Sequence, residues 1–141
     1  MDEIYTKLRS AGFRLTAPRE AIIQTIVEAD IWQSPEEILN RSRVRCPTLG
    51  LVTVYRTLSL LSELGFVRRV HLEHGCHGYL RTELAHGHHV LCRKCHQAVE
   101  FEGMDVFSSI IEQVSIQTGY VIEDHLVELL GLCPDCQEAL G

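Results

Sequence analysis

Two C-x-x-C pairs constrain the fold of this 141-residue chain more than any other feature: Cys92-Arg93-Lys94-Cys95 and Cys133-Pro134-Asp135-Cys136. A C-x-x-C turn presents two thiolates on one tight loop, half of a tetrahedron, and two such turns complete a closed four-cysteine site for a zinc ion. The 37 residues between the pairs leave room for a strand-helix-strand unit, so the chain must return to bring the second pair beside the first. A closed site has no open coordination position and is expected to be architectural, acting within one module. The same residues admit other readings, namely free buried cysteines or two disulfides. Cys92-Arg93-Lys94-Cys95-His96 also matches the C-x-x-C-H attachment motif of c-type haem, which belongs to exported proteins and leaves the second pair unexplained. A thioredoxin-like redox pair would open a helix after a leading βαβ unit, and neither pair is expected to do so.

Redox compartment bears on that choice. The N-terminus, Met1-Asp2-Glu3-Ile4, lacks the basic and apolar regions of a signal peptide. No apolar run approaches the roughly 20 residues of a membrane span. A cytoplasmic location is therefore expected, where paired cysteines mean metal or redox chemistry more often than disulfides.

Charge divides the chain. Residues 1–82 hold 11 Lys/Arg and 9 Asp/Glu, a net +2, while residues 83–141 hold 2 and 10, a net −8. Two modules with different partners account for that split. In the first, residues 2–11 read as a short helix with Ile4 and Leu8 inward. Thr16 caps a second helix, with Pro18 in its first turn and Ile22, Ile23, Ile26 and Val27 at helical spacing. Ser34-Pro35-Glu36-Glu37 is a capping-box signature for a third. A fourth runs from Val52 to Leu64 and stops at Gly65, with Val54, Leu58 and Leu61 inward and Val52, Arg56, Ser59 and Glu63 outward. Two strand-like runs around Glu73-His74-Gly75 form a hairpin. Helices followed by a hairpin make a winged helix-turn-helix. In the second module Val90-Leu91, Ala98–Glu102 and Tyr120–Leu132 read as strands and Met104–Thr118 as a helix. The fold class is thus α+β: a winged helix over residues 1–82, a histidine-rich hinge over 83–89, and a small α/β domain over 90–141.

On a winged helix the fourth helix is the one that enters the major groove. Arg56 on its outer face can bond guanine in bidentate fashion, and Thr53 and Tyr55 can touch a thymine methyl or a phosphate. Arg14 and Arg19 are candidates for phosphate or minor-groove contact. Eight histidines, none before position 71, suit a borderline-soft divalent ion. In an extended His86-Gly87-His88-His89 segment, His86 and His88 share one face and His89 takes the other, so one segment can feed two metal sites. Cys46, beside Pro47, is expected in a loop without a metal role.

Together these features resemble the ferric uptake regulator family. The resemblance is carried by Leu15-Thr16-Ala17-Pro18-Arg19, Gly50 to Leu58 (Gly-Leu-Val-Thr-Val-Tyr-Arg-Thr-Leu), His86 to Cys92, Val99-Glu100-Phe101, and Gly131-Leu132-Cys133-Pro134-Asp135-Cys136. It implies a homodimer joined through the C-terminal domain, whose winged helices bind palindromic operators in double-stranded DNA when metal is bound. It matches the family's structural zinc at Cys92, Cys95, Cys133 and Cys136. It implies no membrane, no small-molecule substrate and no enzymatic activity; nothing such as H-E-x-x-H marks a hydrolytic site.

The regulatory positions diverge. For one family site His86, His88 and His125 match, but Phe107 replaces the glutamate. For the sensory site near the hinge His89 and Glu100 match, whereas Trp32 replaces a histidine, Leu80 a hinge carboxylate, and Thr82 the cysteine of zinc sensors. The chain offers His71, Cys76 and His77 on its hairpin instead. A thiolate with imidazoles favours zinc over iron(II), so the expected ligands are Cys76, His89 and either His71 or His77, according to hairpin register. The chain is accordingly most similar to zinc uptake regulators, with an iron- or peroxide-responsive regulator as the alternative.

Overall fold

The structure, a computed structural model, describes residues 1–72, 77–83, 87–102, 106–123 and 128–140. Four helices open it: α1 (Asp2–Ser10), α2 (Ala17–Val27), α3 (Pro35–Ser42) and α4 (Leu51–Glu63). Their starts follow from local chemistry. The Thr16 hydroxyl accepts the Arg19 backbone N–H, and the Ser34 hydroxyl accepts that of Glu37, so each satisfies a donor that the first turn leaves orphaned. Gly65, at φ +82°, ends the α4 run in a conformation that costs a side-chain-bearing residue strain.

Leu8, Ile22, Ile23, Ile38, Val54, Leu58 and Leu61 are buried almost completely and weld the helices into one core. Thr25 on α2 and Ser42 on α3 share a hydrogen bond of 2.9 Å inside it. The hairpin β1 (Val67–His71) and β2 (His77–Arg81) pairs antiparallel with His71 opposite His77, closing a winged helix.

The second half is a three-stranded sheet in the order β4-β3-β5, with β3 (Gly87–Cys92), β4 (Ala98–Glu102) and β5 (Glu128–Gly131). Helix α5 (Val106–Thr118) connects β4 to β5, and α6 (Pro134–Leu140) closes the chain. Strand β3 runs antiparallel to β4 and parallel to β5.

Three details differ from the sequence reading. The strand expected at Val90 begins at Gly87, so His88 and His89 are strand residues rather than connector. Of the long strand expected over Tyr120–Leu132, Glu128–Gly131 is strand and pairs with His89–Cys92, Tyr120–Glu123 is not strand, and 124–127 lie outside the described residues. The second C-x-x-C does open a helix, the seven-residue α6. No helix among the described residues is long and apolar enough to cross a membrane.

Candidate metal centre

Parallel pairing of β3 with β5 sets Cys92 directly opposite Gly131. Both C-x-x-C segments therefore leave the same end of the sheet. Cys92 ends β3, Cys95 lies in the following turn, Cys133 immediately precedes α6, and Cys136 lies in its first turn. The Arg93 N–H donates to the Gly131 carbonyl at 2.9 Å, tying the first turn to β5.

The four Sγ atoms lie within 4.8 Å of one another, and those of Cys95 and Cys133 are 3.7 Å apart. That is too long for a disulfide, whose S–S bond is about 2.05 Å. It matches the edge of a tetrahedron with metal–sulfur bonds of about 2.3 Å, roughly 3.8 Å. Four thiols and no carboxylate select a soft or borderline ion, so the residues fit zinc.

The electrostatics of the cluster point the same way. Backbone N–H groups of Cys95, and then Cys133, hold the Cys92 thiol down to about 5. Its neighbours move up: hydrogen bonding to the Cys133 thiol, aided by burial, pushes Cys136 up to about 12. One thiolate thus forms readily, and a divalent cation would favour ionisation of the raised Cys95 and Cys136 thiols beside it. Among the described residues this is the one group of three or more His, Cys, Asp or Glu side chains whose donor atoms meet.

Of the expected sensory residues, His89 and Glu100 meet at the segment that leaves the wing, whereas His71 and His77 pair at the other end of the hairpin. His89 and Glu100 are cross-strand partners on β3 and β4, and both reach the segment that leaves β2. The Glu100 carboxylate accepts the Thr82 hydroxyl at 2.5 Å and the Glu83 backbone N–H at 2.8 Å. The His89 ring lies 3.3 Å from the Arg81 carbonyl through Nε2, and 3.5 Å from the Arg68 guanidinium through Nδ1. Burial lowers the His89 pKa, opposed by the Arg81 carbonyl and the Glu100 charge. The ring therefore stays neutral, the form that ligates a metal. His89 and Glu100 help line a cavity of about 270 Å³ together with Asp30, Arg81 and Glu83.

His71 is exposed and faces His77 across the hairpin, with ring centroids 6.0 Å apart. Cys76, His86 and His125 lie outside the described residues. His88 is buried, with Phe101 at 5.7 Å and Phe107 edge-on at 5.2 Å; an aromatic ring thus occupies the position of the family's glutamate. The sequence reading did not anticipate Arg68 beside His89, or Glu128 as the other cross-strand partner of His89. Both depend on strand register, which no local motif encodes.

On α4, Arg56 and Tyr55 are exposed and Thr53 is half-buried, close to the helix N-terminus. Arg14 is exposed. Arg19 is partly engaged, donating to the Arg14 carbonyl at 2.7 Å and stacking over Phe13.

Comparison with known proteins agrees with this architecture. Residues 10–130 match the family described as the ferric uptake regulator family. A ferric uptake regulation protein of Synechococcus elongatus is 34% identical over 137 residues, spanning 95% of this chain and 92% of that protein. A zinc uptake regulator, solved with zinc and DNA, has the same fold, with a TM-score of 0.79 at 24% identity over 99% of this chain and 93% of that one. The regulator PerR from Streptococcus pyogenes, a structure described as explaining peroxide sensing and gene regulation, aligns with a TM-score of 0.54 at 29% identity over 96% and 91%.

Proposed function

The chain belongs to the ferric uptake regulator family, whose members are metal-responsive transcription regulators and not enzymes, and on that premise we propose that it is a zinc-responsive repressor. In this reading a homodimer binds palindromic operators near metal-uptake genes in the cytoplasm. Cys92, Cys95, Cys133 and Cys136 hold a permanent structural zinc. A second zinc is sensed at the junction of the two halves, with ligands drawn from His71 or His77, Cys76, His89 and Glu100. The His86, His88 and His125 positions form a further candidate site weakened by Phe107. The hinge expected over 83–89 is confined to residues 83–86, ahead of β3 (Gly87–Cys92), and joins the DNA-binding half (1–82) to the dimerisation half. Thr53, Tyr55, Arg56, Arg14 and Arg19 contact DNA.

The observation that carries the sensory reading is the convergence of His89 and Glu100 on Arg81–Glu83. A cation held there would link the end of the wing to the second half and narrow the angles the recognition helices sample. DNA affinity would then rise through a shift in population toward the closed arrangement. The zinc assignment rests on donor type, because the thiolate and imidazoles expected from the hairpin are softer than the oxygen ligands iron(II) accepts. Glu100 opposite His89 is the feature that favours iron(II) instead, since it adds a hard carboxylate.

Metal analysis combined with DNA binding separates the two. The purified protein should hold one tightly bound zinc per chain. Affinity for palindromic DNA selected from a random pool should rise as a second zinc equivalent binds. If iron(II) raises affinity and zinc does not, the metal assignment is wrong; if neither does, the sensory reading fails.

A further inference from the structure

Trp32 is the chain's only tryptophan, and it sits between α2 and α3 with 5% of its surface exposed. Both halves of the molecule contribute its neighbours. From the wing, the Val70 carbonyl accepts the indole N–H at 3.0 Å. Gly78 passes directly beneath the ring, and a Cβ at that position would collide with it. From the other half, the His96 carbonyl accepts the Trp32 backbone N–H at 2.7 Å, and the His96 ring stands edge-on at 5.0 Å. Trp32, Val70 and Leu80 share an apolar cluster with Leu91 and Ala98, apart from the main core.

The residues on either side extend this join. Gln33 pairs with Tyr79 of β2, Ile31 pairs with Gln97 just ahead of β4, and the Ala98 N–H donates to the Asp30 carbonyl at 3.0 Å. Residues 30–33 thus act as a short extended splint between the two sheets. Its far anchor, His96, belongs to the turn that carries Cys92 and Cys95, where the His96 N–H donates to the Cys92 carbonyl at 2.9 Å.

We propose that Trp32 is a positioning residue that fixes the DNA-binding half against the C-terminal half without the sensory cation. The partners named above (Val70, Gly78, Leu80, Leu91, His96 and Ala98) are not among the proposed sensory ligands His71, Cys76, His77, His89 and Glu100, although Val70 and Gly78 adjoin His71 and His77 on the wing. The apolar cluster and the backbone pairings favour the docked arrangement on their own, because undocking returns apolar surface to water and breaks the bonds across the splint. The sensory cation then acts on an equilibrium that the join already biases toward closure, and its own differential affinity for the closed arrangement adds to that bias. The inference rests on the proposed function for its meaning in regulation, but its test reads the join itself.

A single tryptophan makes the join visible by fluorescence. Protein carrying one zinc per chain, confirmed by elemental analysis, is titrated with a second zinc equivalent while Trp32 emission and acrylamide quenching are followed. We expect emission typical of a buried indole, and unchanged quenching, at one zinc and at two. A red-shifted, readily quenched Trp32 at one zinc that becomes shielded at two would overturn the proposal. In parallel, W32A with one zinc should give a larger radius of gyration by small-angle scattering than the wild type, and W32F, which keeps a ring, should fall closer to the wild type. An equally compact W32A also overturns it. Should W32A fail to fold, the wild-type emission decides alone. If no second zinc binds, the zinc-sensing reading fails, yet Trp32 emission of the one-zinc protein still reports whether the join is closed.

Discussion

Gly78 shows how one missing side chain shapes the molecule. It lies in β2 with the Trp32 ring against its α-carbon, and an added Cβ would also come within 2.7 Å of the Gln33 carbonyl. Neither neighbour is free to move, because the indole N–H is held by Val70 and the Gln33 carbonyl accepts the Tyr79 N–H at 2.8 Å. Gly78→Ala should therefore cost about 1–3 kcal/mol, the usual penalty for overpacking a filled core. Urea denaturation at fixed metal content measures this, and an unchanged midpoint would show that the splint yields without strain. Glu100 offers a second residue-level case. Its carboxylate is held by Thr82 and by the Glu83 N–H, so a cation seated there must share or displace a charge-assisted bond.

At the scale of elements, α4 divides cleanly. Val54, Leu58 and Leu61 are buried and anchor it, while Arg56 projects from its first turns into solvent. Arg56→Ala should reduce affinity for the selected palindrome by about 1–3 kcal/mol and relax preference at one base position, whereas Arg14→Ala should weaken binding evenly across sequences. Competition binding against single-base operator variants checks both, and equal losses on every variant would remove Arg56 from base readout. Such elements were legible in the sequence because their signals are local. Thr16 and Ser34 cap within three residues, Gly65 stops within one, and each C-x-x-C carries half a tetrahedron by itself. Strand length was not local. Tyr120-Val121-Ile122 reads as strand, yet a strand exists only where a partner runs alongside, and among the described residues β3 pairs with Glu128–Gly131. The splint at Ile31 and Gln33 was illegible for the same reason, since single bridges to Gln97 and Tyr79 leave no periodicity. Of the candidate site, the four cysteines could be read from spacing. The meeting of His89, Glu100 and Thr82 required the β3–β4 register and the path of the chain out of the wing.

For the whole molecule, the four-cysteine cluster and the Trp32 join belong together. The sheet and α6 meet at the cysteines, and the adjoining turn meets Trp32. Stripping the ion with a strong chelator should therefore loosen both halves' contact as well as the C-terminal domain. Loss of amide protection at Trp32 and Ala98 in hydrogen exchange would report it, and protection surviving full metal removal would show the join to be independent of that ion. Leu129 and Leu130 are consecutive strand residues and point to opposite faces, yet they are 50% and 49% exposed. Within one chain β5, an edge strand, is thus covered fully on neither face. Helix α5 likewise leaves Ile110 and Ile116 at 55% and 76%. This half also carries the net −8 charge, so a second copy must bury enough apolar area to overcome like-charge repulsion, and family members bind DNA as dimers. A double variant, Ile110→Glu with Ile116→Glu, keeps good helix formers at exposed positions, where surface changes cost a single chain little. It should shift the protein from dimer to monomer in sedimentation equilibrium and lower operator affinity, because two recognition helices would no longer arrive together. A variant that remains dimeric at the wild-type concentration would place the contact elsewhere, on the edge of β5 or on β4 around Val99.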